Sequence, residues 1–125
     1  MKHMGLRALT TPALELERVE VGAEALLGGT AGADVQAILN ASRTGLAAVM
    51  LGVSRAVLEY CVPYTKDRVA FDEPIAKKQA IAFRLADMQI EQHAMRMLVW
   101  QAASLLEHGE DATKAAWQAR SYAAE

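Results

Sequence analysis

The sequence is poor in cysteine and in aromatic residues, and both shortages restrict the kind of protein it encodes. Cys61 stands alone among 125 residues, so no disulfide can form within the chain, which favours a reducing compartment such as the cytoplasm. Aromatic residues make up 6% of the chain and hydrophobic residues 53%, so a core must be built from Ala, Leu, Val, Ile and Met. This composition is typical of packed helices rather than of a β-sandwich.

Charge of one sign and long apolar runs are also scarce. The net charge is −2 with acids and bases interleaved, which argues against the basic surface that nucleic-acid binding requires. No stretch reaches the roughly 18 uncharged apolar residues of a membrane span. Residues 1–5 lack the apolar core of a signal peptide. We therefore predict a soluble, cytoplasmic chain that forms one domain at most.

The first 33 residues carry no clear helical pattern. We interpret residues 1–12 as a disordered tail or a remnant of expression, and residues 13–33 as a short extended segment and loop. Apolar and charged residues alternate between positions 13 and 21, with one slip at Glu17-Arg18, which predicts a short strand. A single strand has no partner in this chain, so the segment is either irregular or belongs to a larger sheet. Thr30 or Asp34 would then cap the first helix.

Apolar residues spaced by three and four predict a first long helix from Asp34 to Val62, with a length of about 43 Å. Gly45 and Gly52 lie on one side of it, and each costs about 1 kcal/mol relative to alanine. We expect another backbone to approach closely there. Pro63 should kink the helix rather than end it.

A second helix, predicted from Ala76 to His108, is apolar on two faces. One seam comprises Ile81, Leu85, Met88, Gln92, Met95, Val99, Ala102 and Leu106, and a second stripe comprises Phe83, Ile90, Met97 and Trp100. A helix of this kind packs against more than one neighbour. We expect self-association, or a partner subunit packing on residues 76–108.

A third helix is predicted from Ala112 to Glu125, after a C-cap at Gly109 and an N-cap at Asp111. Its pattern continues to the last residue. Three helices do not cover both apolar faces of the second one. Residues 34–125 therefore predict an all-α, up-down bundle of three long helices that is incomplete at its end and requires a fourth helix.

The residues alone point to no catalytic or metal site. Glu-x-x-His pairs of the kind that hold two iron ions in helical bundles are absent, so His93 and His108 are interpreted as surface residues. No nucleophile elbow occurs, and the glycines at positions 28–32 lack the lysine of a phosphate-binding loop. The methionines at positions 88, 95 and 97 are interpreted as core residues.

The polar connector between the first two helices, residues 64–79, is more specific. Its sequence is Tyr64-Thr-Lys-Asp-Arg68-Val-Ala-Phe71-Asp72-Glu-Pro74-Ile75, followed by Gln79 and then Leu85-Ala-Asp-Met88. It resembles the C-terminal helical domain of acyl-CoA dehydrogenases, which typically shows Tyr-x-x-x-Arg-x-x-Phe-Gly-x-Pro-Ile-x-x-x-Gln and then Leu-Ala-Asp-Met. The resemblance extends over residues 13–125, and it implies that residues 13–33 are a remnant of the family's middle β-domain.

The resemblance implies roles for five residues. Arg68 would meet the diphosphate of an FAD bound mainly by a neighbouring subunit, Phe71 would pack beside the cofactor, and Gln79 would offer it an amide. A guanidinium suits paired phosphate oxygens better than an ammonium does. Asn40, which stands where an acid is common, and Arg43 would lie near the acyl-CoA substrate.

Two departures from the family pattern bear on function. Asp72 replaces a glycine, so it adds a Cβ where positive φ is expected and a negative charge near the diphosphate. Family members abstract the α-proton of the thioester with a glutamate, and hydride then passes to flavin N5. That base lies either past the last residue of this chain or, in some branches, at the position of Ser42, whose unactivated hydroxyl has no suitable pKa. We therefore expect no catalytic residue in this chain.

The resemblance thus implies an incomplete piece of an FAD-dependent acyl-CoA dehydrogenase that is inactive alone and does not retain FAD by itself. Two alternatives stay open at this point. One is a non-catalytic partner subunit of a heteromeric dehydrogenase, and the other is a helical interaction module with no flavin role.

Overall fold

The structure, a computed structural model, describes residues 13–125 of the chain. The predicted tail at residues 1–12 lies outside the described residues. The chain divides into two compact units, of which one ends at Ala33 and the other comprises Asp34–Glu125.

The first unit contains no strand among its described residues. Two 3₁₀ turns, Ala23–Ala25 and Gly29–Ala31, follow a segment without regular structure. Arg18, at the slip in the alternating pattern, has a left-handed φ of 50°. Residues 13–21 form no strand, because a strand forms only where another strand pairs with it, and the described part of this unit offers none; that the segment belongs to a larger sheet stays a prediction.

The second unit contains three helices and a small hairpin. The helices are α1 (Val35–Asp67), α2 (Gln79–Glu107) and α3 (Thr113–Tyr122). Strands β1 (Val69–Ala70) and β2 (Glu73–Pro74) pair between α1 and α2, and the 3₁₀ turn Ile75–Lys77 follows them. The prediction of a mostly helical fold with three helices is confirmed. The predicted fourth helix does not lie within residues 13–125, and the hairpin was not predicted.

Helix α1 is longer than the sequence predicts. Asp34 caps its start, because its carboxylate accepts a hydrogen bond from the backbone N–H of Ala37 at 2.9 Å. Pro63 lies inside the helix, which continues to Asp67 and reaches about 50 Å over 33 residues. The last turn survives because a proline removes one backbone donor and leaves the bonds further along intact. Residues 64–67 therefore belong to α1, and the connector begins at Arg68.

Helix α2 begins at Gln79 rather than at Ala76, because residues 75–77 form the 3₁₀ turn. Its end at Glu107 confirms the predicted glycine C-cap. Gly109 has a φ of 69°, and its N–H donates to the carbonyl of Leu106 at 3.2 Å. A left-handed glycine after the last turn is a common way to satisfy the final carbonyl groups of a helix.

Helix α3 is shorter at both ends than the predicted range of residues 112–125. The predicted N-cap at Asp111 is wrong by one residue, because Ala112 is the N-cap, and the carboxylate of Asp111 accepts a hydrogen bond from the N–H of Thr113 at 2.9 Å. Hydrogen bonds from the side chain and the backbone of Thr113 lower the pKa of Asp111. The charged carboxylate also lies at the positive end of the helix dipole.

The core lies where the three helices meet, and it is built mainly from small residues. Its buried members are Ala47, Val99, Ala102, Ala115 and Ala119, with Leu51, Leu98, Leu105 and Ala123 packed around them. Small residues allow the helices to approach closely, as the aromatic-poor composition requires. The predicted seam of α2 faces this core, and its members Gln92, Val99 and Ala102 are buried.

The second apolar stripe of α2 has no cover from the described residues. Its side chains are mostly solvent-exposed: Phe83 60%, Ile90 67%, Met97 41% and Trp100 61%. On α1, a Cβ added to Gly45 or Gly52 would meet no described atom within 4 Å. The close backbone approach predicted at these glycines is therefore not made by residues 13–125.

By length and composition alone, α1 could cross a membrane. An 18-residue window within it has a mean hydropathy of 1.5, and 11% of that window is buried. The core helix of a soluble bundle satisfies the same criterion, and α1 packs against both α2 and α3. The composition of α1 is therefore weak evidence for a membrane span.

Candidate cofactor and substrate sites

Arg68 joins the end of α1 to the hairpin. Its N–H donates to the carbonyl of Tyr64 in the last turn of α1, and its own carbonyl accepts from the N–H of Ile75, each at 2.9 Å. The two strands then pair antiparallel with Val69 opposite Pro74 and Ala70 opposite Glu73. The backbone of Arg68 is thus fixed from both sides, while its side chain is exposed.

The tip of the hairpin is a two-residue turn with both residues in the left-handed region. Phe71 has a φ of 56° and Asp72 a φ of 64°. Two-residue hairpin turns favour this conformation, which fits the right-handed twist of the strands. The positive φ expected at Asp72 is confirmed. Aspartate tolerates it better than most residues, whereas in Phe71 it costs about 1–2 kcal/mol.

Phe71 is 89% exposed at this strained tip. A large aromatic side chain gains nothing from full exposure to water, and strained backbone tends to cluster at binding sites. The hairpin therefore presents an aromatic ring that is available to a ligand or to a partner.

An ion pair links the hairpin to the start of α2. Lys78 Nζ lies 2.5 Å from Glu73 Oε1 and 5.7 Å from the centre of the Phe71 ring. The hydrogen bond and the positive charge of Lys78 lower the pKa of Glu73. Sequence reasoning missed this pair, although the opposite charges on either side of Pro74 were a usable signal.

The structure places the three predicted cofactor residues on one exposed segment between α1 and α2. Arg68 precedes the hairpin, Phe71 forms its tip and Gln79 begins α2, and all three side chains are exposed. Their chemistry fits FAD, since a guanidinium can pair with the diphosphate, a ring can pack beside the cofactor and an amide can hydrogen-bond to it. The carboxylate of Asp72 opposes the diphosphate interaction.

The predicted substrate residue Asn40 is almost fully buried, at 4% exposure. Its amide nitrogen donates to Thr113 Oγ1 at 3.0 Å, and its amide oxygen accepts from Gln36 at 2.8 Å and from Arg43 at 3.2 Å. These bonds connect α1 to the first residue of α3. The structure thus assigns the side chain of Asn40 to the packing of the bundle.

Arg43, the second predicted substrate residue, is held from both sides. Besides its bond to Asn40, its guanidinium lies 4.0 Å from the centre of the Trp117 ring on α3, a cation–π contact. Asn40 is neutral, so it does not form an ion pair with Arg43, as an acidic residue at position 40 would. Arg43 is half-buried, and it forms no ion pair within residues 13–125, so a fixed cation lies at this end of α1.

A cavity of about 480 Å³ lies beside Asn40, between the starts of α1 and α3. The carboxylates of Asp34, Glu110 and Asp111 line it. Three acidic groups repel phosphate, so this cavity does not suit the phosphates of coenzyme A. No group of three or more potential metal-ligating side chains occurs within residues 13–125.

The two sets of predicted site residues lie at opposite ends of α1. The 25 positions between Arg43 and Arg68 correspond to roughly 37 Å along the helix axis. The structure brings Asn40 and Arg43 together, and it brings Arg68, Phe71 and Gln79 onto one connector, but it does not bring the two sets together.

Comparison with known families decides which group of proteins these features belong to. Residues 30–125 match the family model described as acyl-CoA dehydrogenase, C-terminal domain. The chain belongs to the acyl-CoA dehydrogenase family. The resemblance seen in the connector is therefore confirmed.

Individual relatives agree with this assignment. The chain is 40% identical to an acyl-CoA dehydrogenase of Bacillus subtilis, covering 99% of this chain and 33% of the relative. It is 37% identical to the caffeyl-CoA reductase-Etf complex subunit CarC of Acetobacterium woodii, covering 98% and 33%. It superimposes on butyryl-CoA dehydrogenase from Megasphaera elsdenii with a TM-score of 0.68 and 39% identity, covering 71% of this chain and 24% of that one.

The chain spans about a third of the length of these curated relatives, as the 33% coverage shows. The match over residues 30–125 corresponds to the C-terminal helical domain of this family.

Proposed function

We propose that this chain supplies the helical part of an FAD-dependent acyl-CoA dehydrogenase, which introduces a 2,3 double bond into an acyl-CoA thioester. In this proposal the hairpin contacts an FAD that is held mainly by a neighbouring subunit. The observation that carries the proposal is the strained, exposed Phe71 beside the backbone-fixed Arg68. These residues supply an aromatic surface and a guanidinium for the cofactor.

The separation of the two residue sets supports a cofactor shared between subunits. Arg68 and Arg43 lie roughly 37 Å apart along α1. If one chain contacted the FAD and the thioester of the same active site, the residues for both ligands would lie near one end of the helix. We therefore assign the hairpin to the FAD of one active site, and Arg43 to the acyl-CoA of another.

Self-association follows from the same proposal. The stripe of Phe83, Ile90, Met97 and Trp100 on α2 is exposed, and covering it with another subunit would remove apolar surface from water. The oligomer would also bring the hairpin to the neighbouring FAD. We place this assembly in the cytoplasm, in accordance with the single cysteine.

Bound FAD would accept the hydride, and the residues of this chain would bind and orient. Arg68 would neutralise the diphosphate, and Phe71 would exclude water beside the cofactor. Ser42 lies exposed on α1 and offers no base for the α-proton. The chain alone is therefore expected to show no thioester-dependent reduction of an electron acceptor.

The proposal can be tested in a chimera in which residues 13–125 replace the matching segment of the M. elsdenii butyryl-CoA dehydrogenase. We expect the chimera to retain visible flavin absorbance, and Arg68→Met to weaken FAD binding by about ten- to a hundredfold, since a charge-assisted contact to phosphate contributes about 1.5–3 kcal/mol. The matched control is Lys66→Met, which removes an exposed positive charge in the last turn of α1.

Equal FAD affinity in the two variants would contradict the role of Arg68. A chimera that folds, oligomerises and binds no flavin would contradict the role of the hairpin as a whole. Thioester-dependent acceptor reduction by the isolated chain would contradict the prediction that it is inactive alone.

A second candidate function is a non-catalytic subunit of a heteromeric dehydrogenase. Asp72 favours it, because a carboxylate at the hairpin tip weakens a diphosphate contact. One relative is named as a subunit of a caffeyl-CoA reductase-Etf complex. Flavin that is retained by a mixture of this chain with a different dehydrogenase chain, and not by a homomeric chimera, would support this candidate over the first.

A further inference from the structure

We infer that Lys78 is a positioning residue, which holds the hairpin in its presented form through Glu73 and Phe71. The inference rests on the proposed function of the hairpin as an FAD contact. It concerns how Phe71 and Arg68 are kept in place before any ligand arrives.

The hairpin needs such support because it is very small. Each strand has two residues, and the turn between them places Phe71 in the left-handed region. Short two-stranded hairpins are marginally stable by themselves. The left-handed phenylalanine adds a cost that the surrounding structure must offset.

Lys78 is well placed to provide that support, because its own backbone is rigidly held. Its N–H donates to the carbonyl of Ile75 at 3.0 Å, and its carbonyl accepts from Ile81 at 2.9 Å and from Ala82 at 3.0 Å. The residue is thus the N-cap of a helix of 29 residues. Its side chain extends from this fixed point to both Glu73 in β2 and the ring of Phe71.

Lys78 also offsets the net negative charge of the hairpin segment. Arg68 carries one positive charge, and Asp72 and Glu73 each carry one negative charge, so residues 68–74 have a net charge of −1. By pairing with Glu73, Lys78 brings this local total to zero. A carboxylate that is paired repels an approaching diphosphate less than a free one does.

The first measurement uses the chain itself and no flavin. The N–H of Ile75 bonds to Arg68 across the base of the hairpin, so its hydrogen exchange reports whether the hairpin is closed. We expect Lys78→Met to accelerate this exchange about two- to fivefold, the range for a half-exposed ion pair. Lys77→Met removes an equal charge next to it and should accelerate the exchange less than Lys78→Met does, because Lys77 contributes less to the electrostatics of Glu73, and Lys78→Arg should preserve the exchange rate.

A charge swap separates the ion pair from the ring contact. Glu73→Lys combined with Lys78→Glu restores the pair and removes the cation from beside Phe71. If the Ile75 amide exchanges more slowly in the double variant than in Lys78→Met, the ion pair supports the hairpin. If the two exchange rates are equal, the contact of Lys78 with the ring of Phe71 supports it. Either result agrees with a positioning role for Lys78.

The second measurement is FAD affinity in the butyryl-CoA dehydrogenase chimera. We expect Lys78→Met to weaken binding by a factor similar to its effect on the exchange of Ile75, with Lys78→Arg restoring it. If Lys78→Met leaves the exchange of Ile75 unchanged in the chain, the inference is overturned. If exchange accelerates but affinity is unchanged while Arg68→Met weakens it, the positioning role is also overturned and the FAD contact stands. If neither Arg68→Met nor Lys78→Met affects affinity, the proposed function fails, and with it the role of Lys78 toward FAD.

Discussion

Asp72 occupies a backbone position that glycine adopts more readily than any other residue. Its φ of 64° lies in the left-handed region, and its neighbour Phe71 shares that conformation. Aspartate and asparagine are tolerated there because a short polar side chain can bond locally. Aspartate at this position eases the positive φ of the turn, whereas its negative charge weakens a contact with a diphosphate. Substitution can separate these two effects.

Replacing Asp72 by alanine and by asparagine separates the two effects. Alanine lacks the local hydrogen bonding that eases positive φ, so Asp72→Ala should destabilise the closed hairpin by about 1 kcal/mol. The measurement is the hydrogen-exchange rate of the Ile75 amide. Asparagine tolerates positive φ as aspartate does, so the Ile75 amide in Asp72→Asn should exchange at the wild-type rate. The FAD affinity of Asp72→Asn in the chimera should rise severalfold, because the negative charge is gone. Faster exchange in Asp72→Asn than in Asp72→Ala would contradict this explanation.

The pKa of Glu73 predicts how the hairpin responds to acid. Lys78 lowers this pKa below 4.5, with a smaller contribution from Lys77. A carboxyl group whose pKa is lower in the folded state stabilises that state fully above its ordinary pKa. The contribution is lost as pH falls through the lowered value.

A pH titration of the Glu73 carboxyl ¹³C shift by NMR should therefore give a midpoint below 4.5, and Lys78→Met should move this midpoint upward. Lys78→Arg should leave it low. The carboxyl of Asp111, which is bonded to Thr113, serves as an internal control that Lys78→Met should not affect. A Glu73 midpoint that does not change in Lys78→Met would show that the ion pair does not form in solution.

At the scale of the elements, Asn40 decides how α1 and α3 dock. Its amide makes three side-chain hydrogen bonds, one of them across to Thr113, and the contact of Arg43 with Trp117 lies beside it. Helix α3 spans ten residues, too short to be stable by itself. Its stability must therefore come from these contacts and from the small core residues that it buries.

Removing the amide of Asn40 should loosen this junction. Asn40→Ala leaves Thr113 and Gln36 without their partner, and we expect a loss of about 2–3 kcal/mol in the free energy of unfolding, measured by urea denaturation. Ser42→Ala, an exposed change on the same helix, should alter it by less than about 0.5 kcal/mol. A loss confined to Asn40→Ala would establish the structural role, and equal values for the two variants would exclude it.

For the whole molecule, the amount of uncovered apolar surface is the dominant feature. Trp100 and Ile90 on α2 are each more than 60% exposed. Helix α1 likewise has little of its apolar window buried, at 11%. Large exposed apolar patches mark interaction surfaces, so the chain is expected to associate with other copies or with other segments.

Charge placed on this surface should weaken association. Ile90→Glu is expected to shift the chain toward monomer, with a dissociation constant at least tenfold higher, because an ionised carboxylate must be desolvated in the interface. Light scattering across a concentration series measures this shift. The matched control is Gln118→Glu, an exposed site on α3 outside the stripe. A wild-type chain that stays monomeric at all concentrations would contradict the expectation.

Much of the architecture follows from the sequence alone. The apolar spacing located three helices, the glycine at position 109 located the end of α2, and Asp34 located the start of α1. These features depend on interactions between residues close in sequence, which is why a pattern reveals them. The connector motif, in the same way, pointed to the family that the comparisons confirm.

Other features depend on contacts that no local pattern encodes. The segment at residues 13–21 alternates like a strand and forms none, because a strand requires a partner. Strands β1 and β2 are too short to leave a pattern, and they form because Arg68 and Ile75 are brought together between two helices. The burial of Asn40 against Thr113 and the reach of Lys78 to Glu73 were likewise decided by the packing of the helices. The sequence determined where the helices lie and which residues are candidates for cofactor contact. The tertiary structure determined how those residues are held, because hydrogen bonds and ion pairs depend on distances that only the folded chain defines.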